Sequence, residues 1–298
     1  MTYIIDDVPC IEYGGRRNIS MLVKDNEIES VNLNYKRYTV PRMNISPFVM
    51  SPVHVMADLE LPNFFEFKQF KSYFATEFIM RGCTTLITSF SIEYLSQFHS
   101  SLNSKRKELL NCPIDYCLVL KCKAGLVSPE LLRLMKRNRI PAVFVEFSEI
   151  GELEKKAWGW IKQALYGYPL VFCPYIPLEL DKREKTKLLK GWHEILQTEG
   201  IPHVHHPITP KNPLPLQILK LIGIYPLKGN FRAGGEISYN LYKSPASEIV
   251  DESQSILYDN HMLILTVHKG KVLMSNGRCF FQPGIGEELV IKTPGFLT

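Results

Sequence analysis

Nothing in this chain stays apolar for the roughly 18 consecutive positions that a membrane-crossing helix requires, so no helical membrane span is expected. Internal repeats and low-complexity tracts are lacking too, which removes solenoids, coiled coils and long linkers from consideration. Charge of one sign is also scarce: 35 basic against 30 acidic residues leave a formal net charge of +5, spread over 298 positions. The densest basic stretch, residues 182–187, is interrupted by Glu184 and follows a helical rhythm. It reads as a solvated helix face, and no nucleic-acid partner is expected. The start of the chain, Met1 to Asp7, is acidic where a secretory leader would be basic. Paired cysteines are missing: there are seven, an odd number, and their spacing suggests no disulfide framework. Cys112, Cys117 and Cys122 recur every five residues, which fits neither zinc nor redox spacing. They are expected to be reduced core thiols of a cytoplasmic protein.

What is present is the material of an ordinary globular core, with 45% hydrophobic and 22% charged residues. Both ends are rich in strand formers. Residues 19–24 and 28–33 flank the turn signal Asp25-Asn26 and predict a hairpin. Residues 261–268 and 271–274 flank Lys269-Gly270, and Asn276-Gly277 precedes a further strand at Cys279. Between these ends the periodicity alternates. Helical rhythms over 64–80, 128–135, 152–166 and 182–197 are interleaved with apolar strand-like runs at 84–90, 140–145 and 170–173. Gly82 and Gly200 stop two of the helices, and Ser128 can cap another. That alternation predicts βα units around a parallel sheet.

Four phrases in sequence order resemble the cyclic amidohydrolases, the group of hydantoinases, dihydropyrimidinases and dihydroorotases. A phrase like "GDILIEDGKI" is answered by residues 17–28, and one like "AAxxGGxTTxxD" by residues 80–88. The phrase "LYPxKGxIxxGxDAD" is matched by Ile224-Tyr225-Pro226-Leu227-Lys228-Gly229 and the residues to Glu236. Pro283-Gly284-Ile285-Gly286 resembles the closing segment. The resemblance implies an α/β fold: a (β/α) TIM-like barrel over residues 48–223, with a small β-sandwich formed by both termini, 1–47 plus 224–298. Enzymes of this group are longer, so the barrel is expected to be incomplete, with five or six strands. The proline-rich 207–217 segment, or self-association, is expected to cover the open edges.

The chemistry implied by the resemblance is metal-assisted hydrolysis of a cyclic amide. Its ligands are Asp-x-His-x-His on the first strand, a carboxylated Lys on the fourth, one His each on the fifth and sixth, and an Asp on the eighth. Here the first motif falls on His54-Val55-Met56-Ala57-Asp58, and the Lys position falls in Ala142-Val143-Phe144-Val145. Cys173 lies near the fifth-strand position, and the eighth-strand Asp has no counterpart. Most of the ligand set is therefore lost. The expectation is a non-catalytic, metal-free protein that acts as a scaffold, as a homo-oligomer or with a protein partner. The alternative is a divergent hydrolase of C–N bonds using a single Zn²⁺. Its ligands would come from Cys173, His203, His205 and His206, with His54 and Asp58 in reserve. In a strand His203 and His205 share a face and His206 takes the other. The plainer reading of each histidine is a polar group bonded to carbonyls or water. A small-molecule module using the barrel mouth is a third possibility. Glu146 and Asp115 could be acid and base, but no spacing pairs them.

Overall fold

The computed structural model describes residues 1–12, 15–32, 34–176, 180–243 and 263–295. Its first strands, β1 (Thr2–Glu12), β2 (Gly15–Lys24) and β3 (Glu27–Asn32), form an antiparallel meander. Asp25 and Asn26 take φ of 51° and 69°, the left-handed pair that a two-residue hairpin turn needs. Two short strands, β4 (Arg42–Met43) and β5 (Val49–Pro52), add in parallel to β1. Val53 then carries the chain into a second sheet, beginning with β6 (His54–Ala57).

The second sheet contains β6, β7 (Cys83–Ser91), β8 (Asp115–Lys123), β9 (Ala142–Glu146) and β10 (Val171–Tyr175). All pairings are parallel and the spatial order follows the sequence order. Between the strands run α1 (Phe67–Glu77), α2 (Phe98–Glu108), α3 (Pro129–Arg137), α4 (Gly151–Glu154) and α5 (Trp158–Leu165), and α6 (Lys182–Thr198) follows β10. Their buried residues, among them Phe74, Leu102, Leu131, Leu153, Ile161 and Trp192, join one core with Met56, Leu86, Leu118, Val143 and Phe172 of the strands. All six helices therefore cover the same face of the sheet. This is the curled half of a (β/α) barrel, with five strands.

The other face of the sheet, which a closed barrel would turn inward, buries Val55, Ala57, Ile87, Val119, Phe144 and Cys173. Onto it packs a helix that the sequence reading did not anticipate, α7 (Leu216–Ile222), through Leu219 and Ile222. The open edges are covered from within the chain. Lys211 and Leu214 donate backbone hydrogen bonds to Ala57 and Val55 along the β6 edge, at 2.7 and 2.9 Å. Phe172 and Val204 do the same along the β10 edge, at 2.9 Å each, bridging to residues 202–204. The 207–217 segment expected to shield an edge does so.

The chain then returns to the first sheet. Here β11 (Gly235–Glu236) pairs with β3 and β12 (Tyr239–Tyr242) with β5, followed by β13 (Leu263–His268), β14 (Lys271–Ser275) and β15 (Arg278–Cys279). Strands from both termini thus share one largely antiparallel ten-stranded sheet. His261 and Met262, expected to open the first C-terminal strand, lie outside the described residues. Other expectations needed correction. The helix anticipated over 152–166 is broken at residues 155–157, where Trp158 turns its indole N–H back to the Leu153 carbonyl at 3.1 Å. The helix α2 escaped notice because its serines and asparagine are poor helix formers, and burial of Phe98 and Leu102 decides its conformation.

Candidate functional site

In (β/α) folds chemistry gathers at the C-terminal ends of the strands. At that rim stand Asp58 and Glu60 after β6, Lys121 near the end of β8, Glu146 closing β9 and Tyr175 closing β10. Each is occupied by a neighbour. Lys121 donates a short hydrogen bond to Glu60, the Tyr175 hydroxyl donates to the same carboxylate at 2.8 Å, and Glu146 lies 4.0 Å from the Lys121 ammonium. Lys121 also sits 3.9 Å from the centroid of the Tyr175 ring, a cation–π contact. The Lys121 and Tyr175 hydrogen bonds pull the Glu60 pKa below its ordinary value. Asp58 accepts a short hydrogen bond from Tyr73, and burial raises its pKa in spite of that bond.

The residues singled out from the sequence do not converge. His54 and Cys173 lie on β6 and β10, the two edge strands of the sheet, with three strands between them. His54 also points away from the inner face. It is fully buried among the outer core and shares a 2.7 Å hydrogen bond with the Tyr242 hydroxyl. Met56 faces the same way, so the inward positions of β6 belong to Val55 and Ala57. Cys173 is buried on the inner face, and burial raises its thiol pKa strongly, as for a core cysteine. Burial raises the thiol pKa of Cys112, Cys117 and Cys122 too, Cys117 on the inner face and Cys112 and Cys122 in the core beneath the helices.

Two of the predicted histidines do meet, together with one that the sequence reading missed. His203 and His205 pack against His193 of α6, with one ring nitrogen of each lying within 4.8 Å of the others. His193 Nδ1 and His203 Nε2 are 2.8 Å apart, and His203 Nδ1 donates to the Ile201 carbonyl at 2.8 Å. Burial, followed by the neighbouring imidazoles, lowers the pKa of both His203 and His205. His206 is exposed and belongs to no such cluster among the described residues. His193 could have been found from the sequence: Gly200 ends α6 and turns the chain back, which brings the helix's last turns beside residues 203–205.

A second cluster joins the two sheets at the opposite, N-terminal end of the strands. Asp115, the first residue of β8, accepts hydrogen bonds from Lys228 at 2.5 Å, Lys269 at 2.8 Å and the Glu287 backbone at 2.8 Å. Lys228 also donates to Glu236 at 2.5 Å, and His268 lies 3.5 Å from Asp115. The two ammonium groups already supply the positive charge that a metal would bring here. Asp115 and Glu146 therefore cannot work as acid and base: they sit at opposite ends of paired strands, about 26 Å apart at about 3.3 Å per residue.

These features, a five-stranded parallel half-barrel beside a sheet shared by both termini, find their counterpart among solved structures. A D-hydantoinase superposes over 99% of this chain and 100% of its own, with a TM-score of 0.66 and 10% identity. The chain shares the fold of the hydantoinases and dihydropyrimidinases. The L-hydantoinase of Arthrobacter aurescens gives 0.61 at 13% identity over 97% of this chain and 100% of that one. The dihydropyrimidinase of Brevibacillus agri NCHU1002 gives 0.57 at 13% over 100% of both. By sequence, no family model and no curated protein matches the chain. Within this hydantoinase-like fold, Lys228 belongs to one of the four phrases that carry the resemblance, and its place between Asp115 and Glu236 gives that phrase a structural role. Gly286, from the closing phrase, is equally explained: its N–H donates to the Cys112 carbonyl at 3.0 Å, and an added Cβ would stand 1.9 Å from the Ile114 carbonyl oxygen. No helix among the described residues is long and apolar enough to cross a membrane.

Proposed function

We propose that this chain is a hydantoinase-fold protein that does not hydrolyse cyclic amides and acts by association, as a homo-oligomer or with a protein partner. The observation that carries the reading is the filled inner face. Leu219 and Ile222 of α7 pack on Val55, Ala57, Val119, Phe144 and Cys173, where the chemistry of this fold would need space, water and ligands. The thiols that this face offers, Cys117 and Cys173, are held protonated by burial. The terminal sheet takes the place of the small β-sandwich in this reading. Association is supported by aromatic side chains left in water, Phe65, Tyr166 and Trp160, at 90, 85 and 63% exposure. A one-metal hydrolase on Cys173 and the histidines is less well supported, because Cys173 faces the inner core while His203 and His205 face α6.

The test is an assay of the purified chain with hydantoin, dihydrouracil and dihydroorotate, with and without added Zn²⁺ or Mn²⁺, alongside light scattering. Background turnover and a mass that is a multiple of 34.3 kDa, or a stable complex with a partner, are expected. Turnover above buffer that scales with protein across independent preparations would overturn the reading.

A further inference from the structure

We propose that His193, His203 and His205 bind one divalent transition-metal ion, Zn²⁺ by its chemistry, on the helical side of the sheet edge. The site goes beyond the non-hydrolytic reading and does not depend on it. Val204 points into the inner core with Cys173 and Leu214, whereas the rings of His203 and His205 meet His193 of α6. The site therefore lies outside the barrel interior.

Three imidazole nitrogens within 4.8 Å of one another are close to what an ion demands. Bonds of about 2.0–2.1 Å at tetrahedral angles place ligand nitrogens about 3.4 Å apart, which small rotations of these rings would reach. The His203 and His205 rings are nearly parallel, at 11° with centroids 5.1 Å apart, and the His193 ring lies 3.9 Å from that of His205. The tautomer of His203 is fixed by its surroundings. Its Nδ1–H donates to the Ile201 carbonyl, leaving the Nε2 lone pair turned toward His193. This is the outer-shell hydrogen bond that orients histidine ligands in metal sites.

The backbone on both sides is already held. Trp192, the residue before His193, is fully buried and its indole N–H donates to the Val204 carbonyl at 2.9 Å. Leu188 and Leu196 fix the rest of α6 to the core. Little ordering is therefore left for binding. Among the three rings one hydrogen bond is made, between His193 Nδ1 and His203 Nε2. A dication shared by three neutral lone pairs satisfies them at once. The ligand set lacks carboxylates, which selects Zn²⁺, Ni²⁺ or Cu²⁺ over Mg²⁺ or Ca²⁺. Three protein ligands leave a fourth position open, and His205 is exposed to the water that would fill it.

The experiment uses the full chain without a polyhistidine tag, stripped with chelator and titrated with Zn²⁺ by calorimetry and with Co²⁺ by visible absorption. One equivalent should bind, and Mg²⁺ should not. His193→Ala and His205→Ala should each weaken binding by about 100-fold or more, since even outer partners of metal ligands are worth about 10- to 100-fold. His206→Ala should leave it unchanged. Far-UV circular dichroism checks that each variant is folded. If a variant is misfolded, Zn²⁺ protection of the wild-type imidazoles from diethyl pyrocarbonate, mapped by mass spectrometry to residues 193, 203 and 205, provides the same test. Absence of saturable binding below about 1 mM Zn²⁺, about 4 kcal/mol of binding energy, would overturn the proposal. So would one-equivalent binding that survives His193→Ala and His205→Ala together, Mg²⁺ binding as tight as Zn²⁺, or protection that avoids these three rings.

Discussion

Replacing Lys228 with Met removes the ammonium that ties the terminal sheet to the base of the half-barrel while keeping most of the side chain's volume. Lys228 is 6% exposed and its Nζ lies 2.5 Å from both Asp115 and Glu236. At an effective dielectric of about 20, one such pair amounts to about 7 kcal/mol of attraction. Desolvation of the ammonium opposes much of this. Truncating one partner of a buried pair, which leaves carboxylates without their cation, costs about 3–5 kcal/mol. Chemical unfolding at neutral pH should show that loss as a lowered midpoint. Lys228→Met made in an Asp115→Asn background should cost less than in the wild type, because part of the same interaction is already gone. Acid titration gives an independent sign. Burial alone would raise the Asp115 pKa, but the contacts with His268 and Lys228 outweigh it and hold the carboxyl well below the ordinary carboxylate range. Its contribution to stability is therefore complete above that range and is lost as pH falls through the folded-state value. Without Lys228 the loss should begin at higher pH. A Lys228→Met protein within about 1 kcal/mol of wild type, with an unchanged acid limb, would refute the reasoning, since a buried pair that fails on truncation should cost about 3 kcal/mol or more.

The buried His54 should make stability depend on pH in a different window. Burial, with the Arg81 charge adding to it, pushes its imidazole from 6.5 down to about 3. The unfolded chain then binds a proton below 6.5 that the folded chain refuses, so stability falls as pH drops from 6.5 toward 3, by up to about 1.4 kcal/mol per pH unit. His54→Gln should flatten the dependence of the unfolding midpoint between pH 6.5 and 4, and an unchanged slope would assign it to other groups. Gly286→Ala places a methyl 1.9 Å from the Ile114 carbonyl oxygen and 2.9 Å from that of Cys112. Relieving such overpacking costs about 1–3 kcal/mol, so the thermal midpoint should drop, and an unaltered melt would mean that this close approach is not made.

Elements whose signals are local were legible in the amino-acid order alone. Asp25-Asn26, Lys269-Gly270 and Asn276-Gly277 all take the positive φ that hairpin turns demand, and Ser128 caps α3 by accepting from the Leu131 N–H. The helix and strand periods around Gly82 and Gly200 were legible for the same reason: each depends on residues within a few positions. The sequence narrowed the barrel to five or six strands and offered two ways to cover its edges, self-association or residues 207–217; the fold has five strands and uses residues 207–217 along β6. What the sequence left open depends on contacts across long separations. The inward face of β6 falls on Val55 and Ala57 because the strand's register against β7 turns His54 and Met56 outward, and a one-residue shift reverses every side chain. The helix α7 seals the inner face through Leu219 and Ile222, which read locally as a short apolar run. His193, only ten residues before His203, was within reach of the sequence through the Gly200 turn, but which face of α6 meets residues 203–205 is decided by burial of Trp192 against Val204. Asp115 meets Lys228 and Lys269, more than 100 residues away, because packing of the two sheets brings them together and leaves each charge little but the other for solvation.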